Sequence, residues 1–270
     1  MADNGTEQGT VVVEQTNNKP LAVVLVMQTG AAARLEFQRY HTVTTLLEIT
    51  ANEPNRKVGL VTFDSKPRQI WNFPERSEGV RYAMDNPDAG DNGAAIFDAL
   101  SKASDLLEEQ SPEMRRLIVL LSQPKDAGSS TSPRLFMQRM GRINAPIYSI
   151  SFPPAVKPDV GSSEKICLSK DRLDPSASTI SALVFNGVRK RICHDTAAEL
   201  ASASGGEHVQ IRSQHDLDQS VLRLKNTFSN AYTLSFRPAS PTPGFHFLRL
   251  TAGKKADHLV AASRNLYWVP

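Results

Sequence analysis

The chain has 270 residues, 40% apolar and 22% charged, with a formal net charge of +3. That composition is ordinary for a globular protein, and the charge is too small to argue for nucleic acid or an anionic membrane surface. No apolar run approaches the roughly 18–20 residues that cross a bilayer, and residues 1–10 carry no apolar stretch of a signal peptide.

Residues 1–10, polar with two glycines, are expected to be a disordered arm. Val11-Val12-Val13-Glu14-Gln15-Thr16 reads as a short strand, completing an N-terminal unit over residues 1–20. Leu21 to Met27 is uninterrupted apolar sequence without period-2 alternation, the pattern of a strand buried on both faces of a parallel sheet. The turn after it, at Gln28-Thr29-Gly30, lies where open α/β sheets place their ligands, beyond the carboxyl ends of the strands. It offers one hydroxyl and no charge.

Phe37, Tyr40, Val43, Thr44 and Leu47 recur at helical spacing, and that helix is expected to end near Pro54. Val58 to Phe63 is a second buried strand, and the more polar stretch from Arg68 to Phe73 an antiparallel edge strand. Residues 74–94 read as irregular. Ala95, Ala99, Ala103, Leu106 and Leu107 line a helix, and Leu117 to Leu121 is a third buried strand. Leu135, Met137, Met140 and Ile143 mark a helix that returns to a fourth strand, Ile147 to Phe152. This rhythm predicts an α/β fold: a doubly wound, mostly parallel sheet with one antiparallel edge strand, within residues 21–230.

Pro153, Pro154 and Pro158 open an expected insertion loop over residues 153–192, with a short element at 180–185. Thr196 to Ala203 is a helix stopped by Gly205-Gly206. Glu207 to Ile211 is a fifth strand, and Leu217, Val221, Leu224 and Phe228 mark a last helix, opened by Ser213 or Asp216. Strand-like segments at 231–237, 245–251 and 259–262 form a C-terminal antiparallel β extension over residues 231–270, with residues 11–16 as a pairing partner.

Cys167 and Cys193 stand 26 apart and make no CxxC-type metal cage. As a disulfide they would stabilise the fold by about 3–4 kcal/mol. As thiols they would be a core residue and a helix-start residue, and the sequence leaves both readings open. Cys193-His194-Asp195 is a poor nucleophilic constellation, because adjacent residues diverge while a triad is assembled from separated positions. Asp195 there suits the positive end of a helix. The six histidines include no HxH or HExxH pair, and no phosphate-binding glycine motif occurs, so zinc and nucleotide chemistry lack support and no cofactor is expected. His246 reads as an outward strand residue, Arg189-Lys190-Arg191 as a solvated loop face, and Trp71 and Phe73 as packing on residues 74–92.

Several stretches, taken in order, resemble the von Willebrand factor A family. They are Leu-Ala-Val-Val-Leu-Val-Met-Gln-Thr-Gly at 21–30, Val-Gly-Leu-Val-Thr-Phe-Asp-Ser at 58–65, Gly-Ala-Ala-Ile-Phe-Asp-Ala-Leu at 93–100 and Arg-Arg-Leu-Ile-Val-Leu-Leu-Ser-Gln at 115–123. Leu-Ala-Ser-Ala-Ser-Gly-Gly at 200–206, Ala-Tyr-Thr-Leu-Ser-Phe-Arg-Pro at 231–238 and Gly-Phe-His-Phe-Leu-Arg-Leu at 244–250 are similar to its bacterial VWFA-related branch, described from acidobacteria. The resemblance implies a Rossmann-like fold and a metal-ion-dependent adhesion site of the form Asp-x-Ser-x-Ser, Thr and Asp. At those five positions stand Gln28, Gly30, Ala32, Ala94 and Gln123. No carboxylate remains among them to balance a hard dication, so no metal is expected. A weak ion site from Gln28, Gln123 and Asp126 is the alternative.

The implied function is a non-enzymatic, adhesion-type module that binds a protein outside the cytoplasm, without nucleic-acid binding or membrane insertion. Its expected contact residues are Gln28, Thr29, Ala94, Ser122, Gln123 and Asp126, on loops 28–34, 90–96 and 122–128. Two rivals are a scaffold subunit associating through strand edges and the C-terminal β segment, and a cryptic hydrolase built on Cys193 or His194.

Overall fold

The computed structural model describes residues 1–16, 19–40, 42–43, 55–76, 78–153, 160–170, 180–229, 232–239, 242–250 and 263–269. The rest of the Phe37–Pro54 helix, much of 153–179 and the strand expected at 259–262 lie outside them. The long apolar run becomes strand β4 (Leu21–Gln28), every residue of it buried. It pairs in parallel with β5 (Arg56–Phe63) on one side and β7 (Arg115–Ser122) on the other. Outside these lie β6 (Pro67–Trp71), antiparallel to β5, and then β8 (Ile147–Ser151) and β9 (His208–Gln210), both parallel. The sheet order is β6-β5-β4-β7-β8-β9. This is the mixed, mostly parallel sheet with one antiparallel edge that the apolar runs imply.

Because β4 is central, its alternate side chains feed two cores. Ala22, Val24 and Val26 meet helices α2 (Ile96–Glu108), α3 (Pro133–Ile143) and α6 (Thr196–Ser204). Leu21, Val23, Leu25 and Met27 meet Tyr40, Val43, helix α1 (Glu78–Asp85) and helix α7 (Gln214–Ser229). Helix α1 corrects the irregular reading of residues 74–94: Val80, Ala83 and Met84 make a short buried stripe. Trp71 lies against it, so close to Gly79 that a Cβ there would sit 2.6 Å from the indole. In α3, Leu135 is exposed and Phe136 takes the core position beside Phe97.

The insertion is not a loop where it is described. Helices α4 (Val160–Ser169) and α5 (Ile180–His194) form a hairpin closed by a Cys167–Cys193 disulfide, with Cα atoms 5.7 Å apart. Cys193 therefore ends a helix instead of starting one. Both helices lack a clear apolar stripe, which is why periodicity misses them. Arg189 is buried and reaches the Leu168 carbonyl at 3.5 Å, while Arg191 pairs with Glu199, so the basic run is not simply a solvated face. Gly205 supplies the left-handed cap of α6 at φ +84°, and Gly206 allows the chain to press on the Ile147 carbonyl, where a Cβ would sit 2.0 Å away.

The first residues are not a disordered arm. Strands β1 (Ala2–Asp3) and β2 (Thr6–Glu7) pair with each other, and β1 also pairs with β11 (Gly244–Arg249), which β12 (Leu266–Val269) flanks. Strand β3 (Val11–Gln15) pairs with β10 (Tyr232–Phe236), the partnership expected for residues 11–16. His246 is buried, not outward. Its Nδ1 faces the Asp3 carboxylate at 3.0 Å and its Nε2 the Thr242 carbonyl at 2.6 Å, and Tyr267 donates its hydroxyl to Asp3 at 2.7 Å.

Candidate functional site

The carboxyl ends of β4, β5 and β7 form a crown with the 86–95 loop. Gln28 ends β4 fully buried, and its amide is committed at both atoms. The Oε1 accepts the Gln123 N–H at 2.8 Å; the Nε2 donates to the Gly30 carbonyl at 3.0 Å and to Gln123 Oε1 at 3.4 Å. Only an amide supplies donors and an acceptor to that set, since a carboxylate accepts alone. Gln123 Nε2 in turn donates to the Lys125 carbonyl at 3.1 Å. Thr29 donates its hydroxyl to the Phe63 carbonyl at 3.2 Å, and Ala94 exchanges backbone hydrogen bonds with Ala127. Ser122 folds its hydroxyl back to the Gln123 carbonyl at 2.9 Å.

Asp126 holds the third loop. Its carboxylate accepts the Phe97 N–H at 3.3 Å, the Ser129 hydroxyl and the Lys170 ammonium at 3.4 Å, while its own N–H donates to Thr196 Oγ1 at 3.1 Å. Burial pushes this carboxyl above its ordinary range, against the opposing pull of Ser129, Lys170 and the Phe97 N–H. Asp98 faces elsewhere and caps the segment at Ser130 and Thr131 through their N–H groups, both at 2.7 Å.

Of the residues nominated for partner contact, Gln28, Thr29, Ala94, Ser122 and Asp126 are buried and Gln123 is half-buried. They tie loops together and offer a partner little surface. The exposed rim is made by Arg34, Asp91 and Asn92, on two of the loops expected to meet a partner, and by Leu35, Ser65 and Lys66, which lie outside those loops. Arg34 donates to the carbonyls of Gly90 and Asp91 at 2.7 and 3.0 Å, and Asp91 accepts from Ser65 and Gly93. Asp64, fully buried, accepts from Arg68 at 2.6 Å and from the Asp91 N–H at 3.1 Å. An Asp following a buried strand, as in Val-Thr-Phe-Asp, was the available signal.

Cys193 is engaged in the disulfide, and Asp195 caps α6 by accepting the Ala198 N–H at 3.0 Å. Those two do not form a nucleophilic pair. His208 sits between the hydroxyls of Ser149 and Ser151 at 3.3 and 3.4 Å, and both serines are buried. Burial lowers the imidazole pKa, with Asp195 opposing weakly. A depressed histidine pKa stabilises the fold above the ordinary value near 6.5, and that contribution is lost as pH falls through the depressed value. Wild-type stability is therefore expected to drop faster below about pH 6.5 than that of His208→Asn, measured by urea unfolding across pH 7.5 to 5.

No family model and no curated protein matches the sequence. Among solved structures, a von Willebrand factor type A protein from Catenulispora acidiphila superposes on 82% of this chain with a TM-score of 0.52, at 11% identity and over 49% of its own length. The fold is that of a von Willebrand factor A domain. BatB of Bacteroides thetaiotaomicron matches over 77% of this chain and 100% of its own at 14% identity, with a TM-score of 0.47. The pilus adhesin SpaC of Lactobacillus rhamnosus GG matches over 81% and 31% at 10% identity, with a TM-score of 0.49.

In a von Willebrand A fold the crown is where a divalent cation would be held, and these residues do not fit one. A hard dication needs anionic oxygens in near-octahedral array. Here the first position is an amide already spent on hydrogen bonds. A Cβ on Gly30 would lie 2.7 Å from the carbonyl oxygens of Asp91 and Gly93, so no serine hydroxyl can be placed there without moving backbone. Ala94 carries no side-chain oxygen, and the Asp126 carboxylate is taken by its three donors. Among the described residues no three acidic, histidine or cysteine side chains converge.

Proposed function

We propose that this chain is a non-enzymatic protein-interaction module of the von Willebrand A type whose crown works without a metal ion. The observation that carries this reading is the Gln28–Gln123 amide pair, which joins two strand ends where the fold family's metal would act. The partner contacts the rim, where Leu35 is 74% exposed next in sequence to Arg34, whose guanidinium holds the 90–92 loop. The disulfide fits an oxidising compartment outside the cytoplasm. No described helix is long and apolar enough to cross a membrane.

Thermal unfolding in millimolar magnesium, manganese or calcium against EDTA tests the metal-free crown, because a ligand of the native state must raise its stability. The expected shift is under about 1 °C. A rise of several degrees that Gln28→Ala or Gln123→Ala removes would restore a metal-dependent mechanism and sink this one. For the rim, a photo-reactive residue at position 35 is expected to capture a protein equally well with magnesium or EDTA. Capture that Arg34→Glu leaves unchanged would place the contact elsewhere.

A further inference from the structure

Strands β3 and β10 form a two-stranded antiparallel ribbon, with Tyr232 opposite Gln15, Leu234 opposite Val13 and Phe236 opposite Val11. Side chains alternate across a strand, so one face, apolar but for Gln15, collects Val11, Val13, Gln15, Tyr232, Leu234 and Phe236. Phe236 meets Tyr267 edge-on with ring centroids 6.1 Å apart. Val13 and Tyr232, however, are 60% and 64% exposed, leaving the rest of that apolar face largely open. A lone two-stranded ribbon is marginal in water.

Among the described residues β10 pairs along one edge only. Natural proteins usually guard such an edge with charge, yet Tyr232-Thr233-Leu234-Ser235-Phe236 carries none. The other strand is guarded: Glu14 lies on it, with Lys19 at 2.9 Å.

The residue order of β10 selects the occupant. Outward from Leu234 the strand reads hydroxyl then aromatic in both directions. Two antiparallel copies centred on Leu234 set leucine against leucine, Thr233 against Ser235 and Tyr232 against Phe236, all favourable cross-strand pairs. The same operation on β3 would set Val12 against Glu14. The charges also agree: Arg237 falls opposite position 231, an alanine, so the two guanidinium groups lie at opposite ends of the pairing. We propose that a second copy of this chain pairs with the outer edge of β10 about a two-fold axis at Leu234, completing a four-stranded β3-β10-β10-β3 sheet. The contact is isologous, so it closes at a dimer and does not propagate.

A five-residue pairing is small beside a stable interface, so the dissociation constant is expected at roughly tens of micromolar. Equilibrium sedimentation of the whole chain should show the mean mass climbing from 29.6 kDa toward twice that value as concentration rises. Leu234→Lys, which sets two ammonium groups face to face, should weaken the dimer at least about tenfold. Because that variant could also disturb the fold, Leu234→Cys gives a second readout. No free cysteine is present to compete, and a cysteine on the two-fold axis meets only its own copy. Mild oxidation should then give a covalent dimer that a dithiol reverses, whereas Val12→Cys, on the ribbon's other face, should not. A chain that keeps one mass to high concentration overturns the proposal. So does a dimer indifferent to Leu234→Lys, or cross-linking at Leu234→Cys no better than at Val12→Cys.

Discussion

Replacing Gly30 by serine, the residue type that the adhesion-site pattern has there, is expected to destabilise the fold by about 3 kcal/mol and to confer no response to magnesium. The cost comes from geometry. The added Cβ would lie 2.7 Å from two backbone carbonyl oxygens and 2.8 Å from the Asp64 Cβ, and none of these is the free end of a flexible side chain. The 90–93 loop would have to lift, pulling on the Arg34 contacts to Gly90 and Asp91 and on the Asp64 contact to the Asp91 N–H. Urea unfolding with and without magnesium measures both parts. A Gly30→Ser protein as stable as wild type would show that the loop yields easily and that the crown is open to a larger residue. Combining it with Gln28→Asp should worsen matters, because the shorter carboxylate would be buried without the amide's donors.

Removing the disulfide as Cys167→Ala/Cys193→Ala should cost about 3–4 kcal/mol, from the entropy of the loop closed across a separation of 26 residues. For a chain of this size that corresponds to a fall of roughly 10 °C in the unfolding midpoint. The effect should also reach the crown. Lys170, three residues beyond Cys167, pairs with Asp126; Thr196, three beyond Cys193, accepts the Asp126 N–H. With the helical hairpin untied, amide exchange around residues 124–130 should quicken more than exchange in β4. Uniform quickening across the sheet would mean that the disulfide acts on global stability alone and has no particular hold on the Asp126 loop.

The central sheet was legible because burial on both faces leaves an unmistakable trace. Leu21 to Met27, Val58 to Phe63 and Leu117 to Leu121 have no alternation to confuse with a surface strand, and all three are adjacent parallel strands. What escaped lacked periodicity or depended on distant partners. Helices α4 and α5 present no strong apolar stripe and are joined by a disulfide that spacing could not decide. Asp3 and His246, 243 residues apart, look like an exposed arm residue and an outward strand residue until they face each other. At the crown only the residue types could be read in advance: Gln28, Gly30, Ala94 and Gln123 stand where the resemblance implies acidic and hydroxylic residues. That these side chains face inward, leaving Arg34, Leu35 and Asp91 at the rim, is a matter of loop geometry that residue type does not encode.

The pairing of β3 with β10 and of β1 with β11 has a consequence for how the chain is made. Residues 2–15 leave the ribosome before their partners at 232–249, which follow about 230 positions later. At roughly 5–20 residues per second, that is a wait of about ten to fifty seconds. Throughout it, Val11-Val12-Val13 is an unpartnered, aggregation-competent strand, while the six-stranded sheet can already assemble behind it. The emerging chain would therefore depend on a chaperone at this strand, long after most of its core is in place.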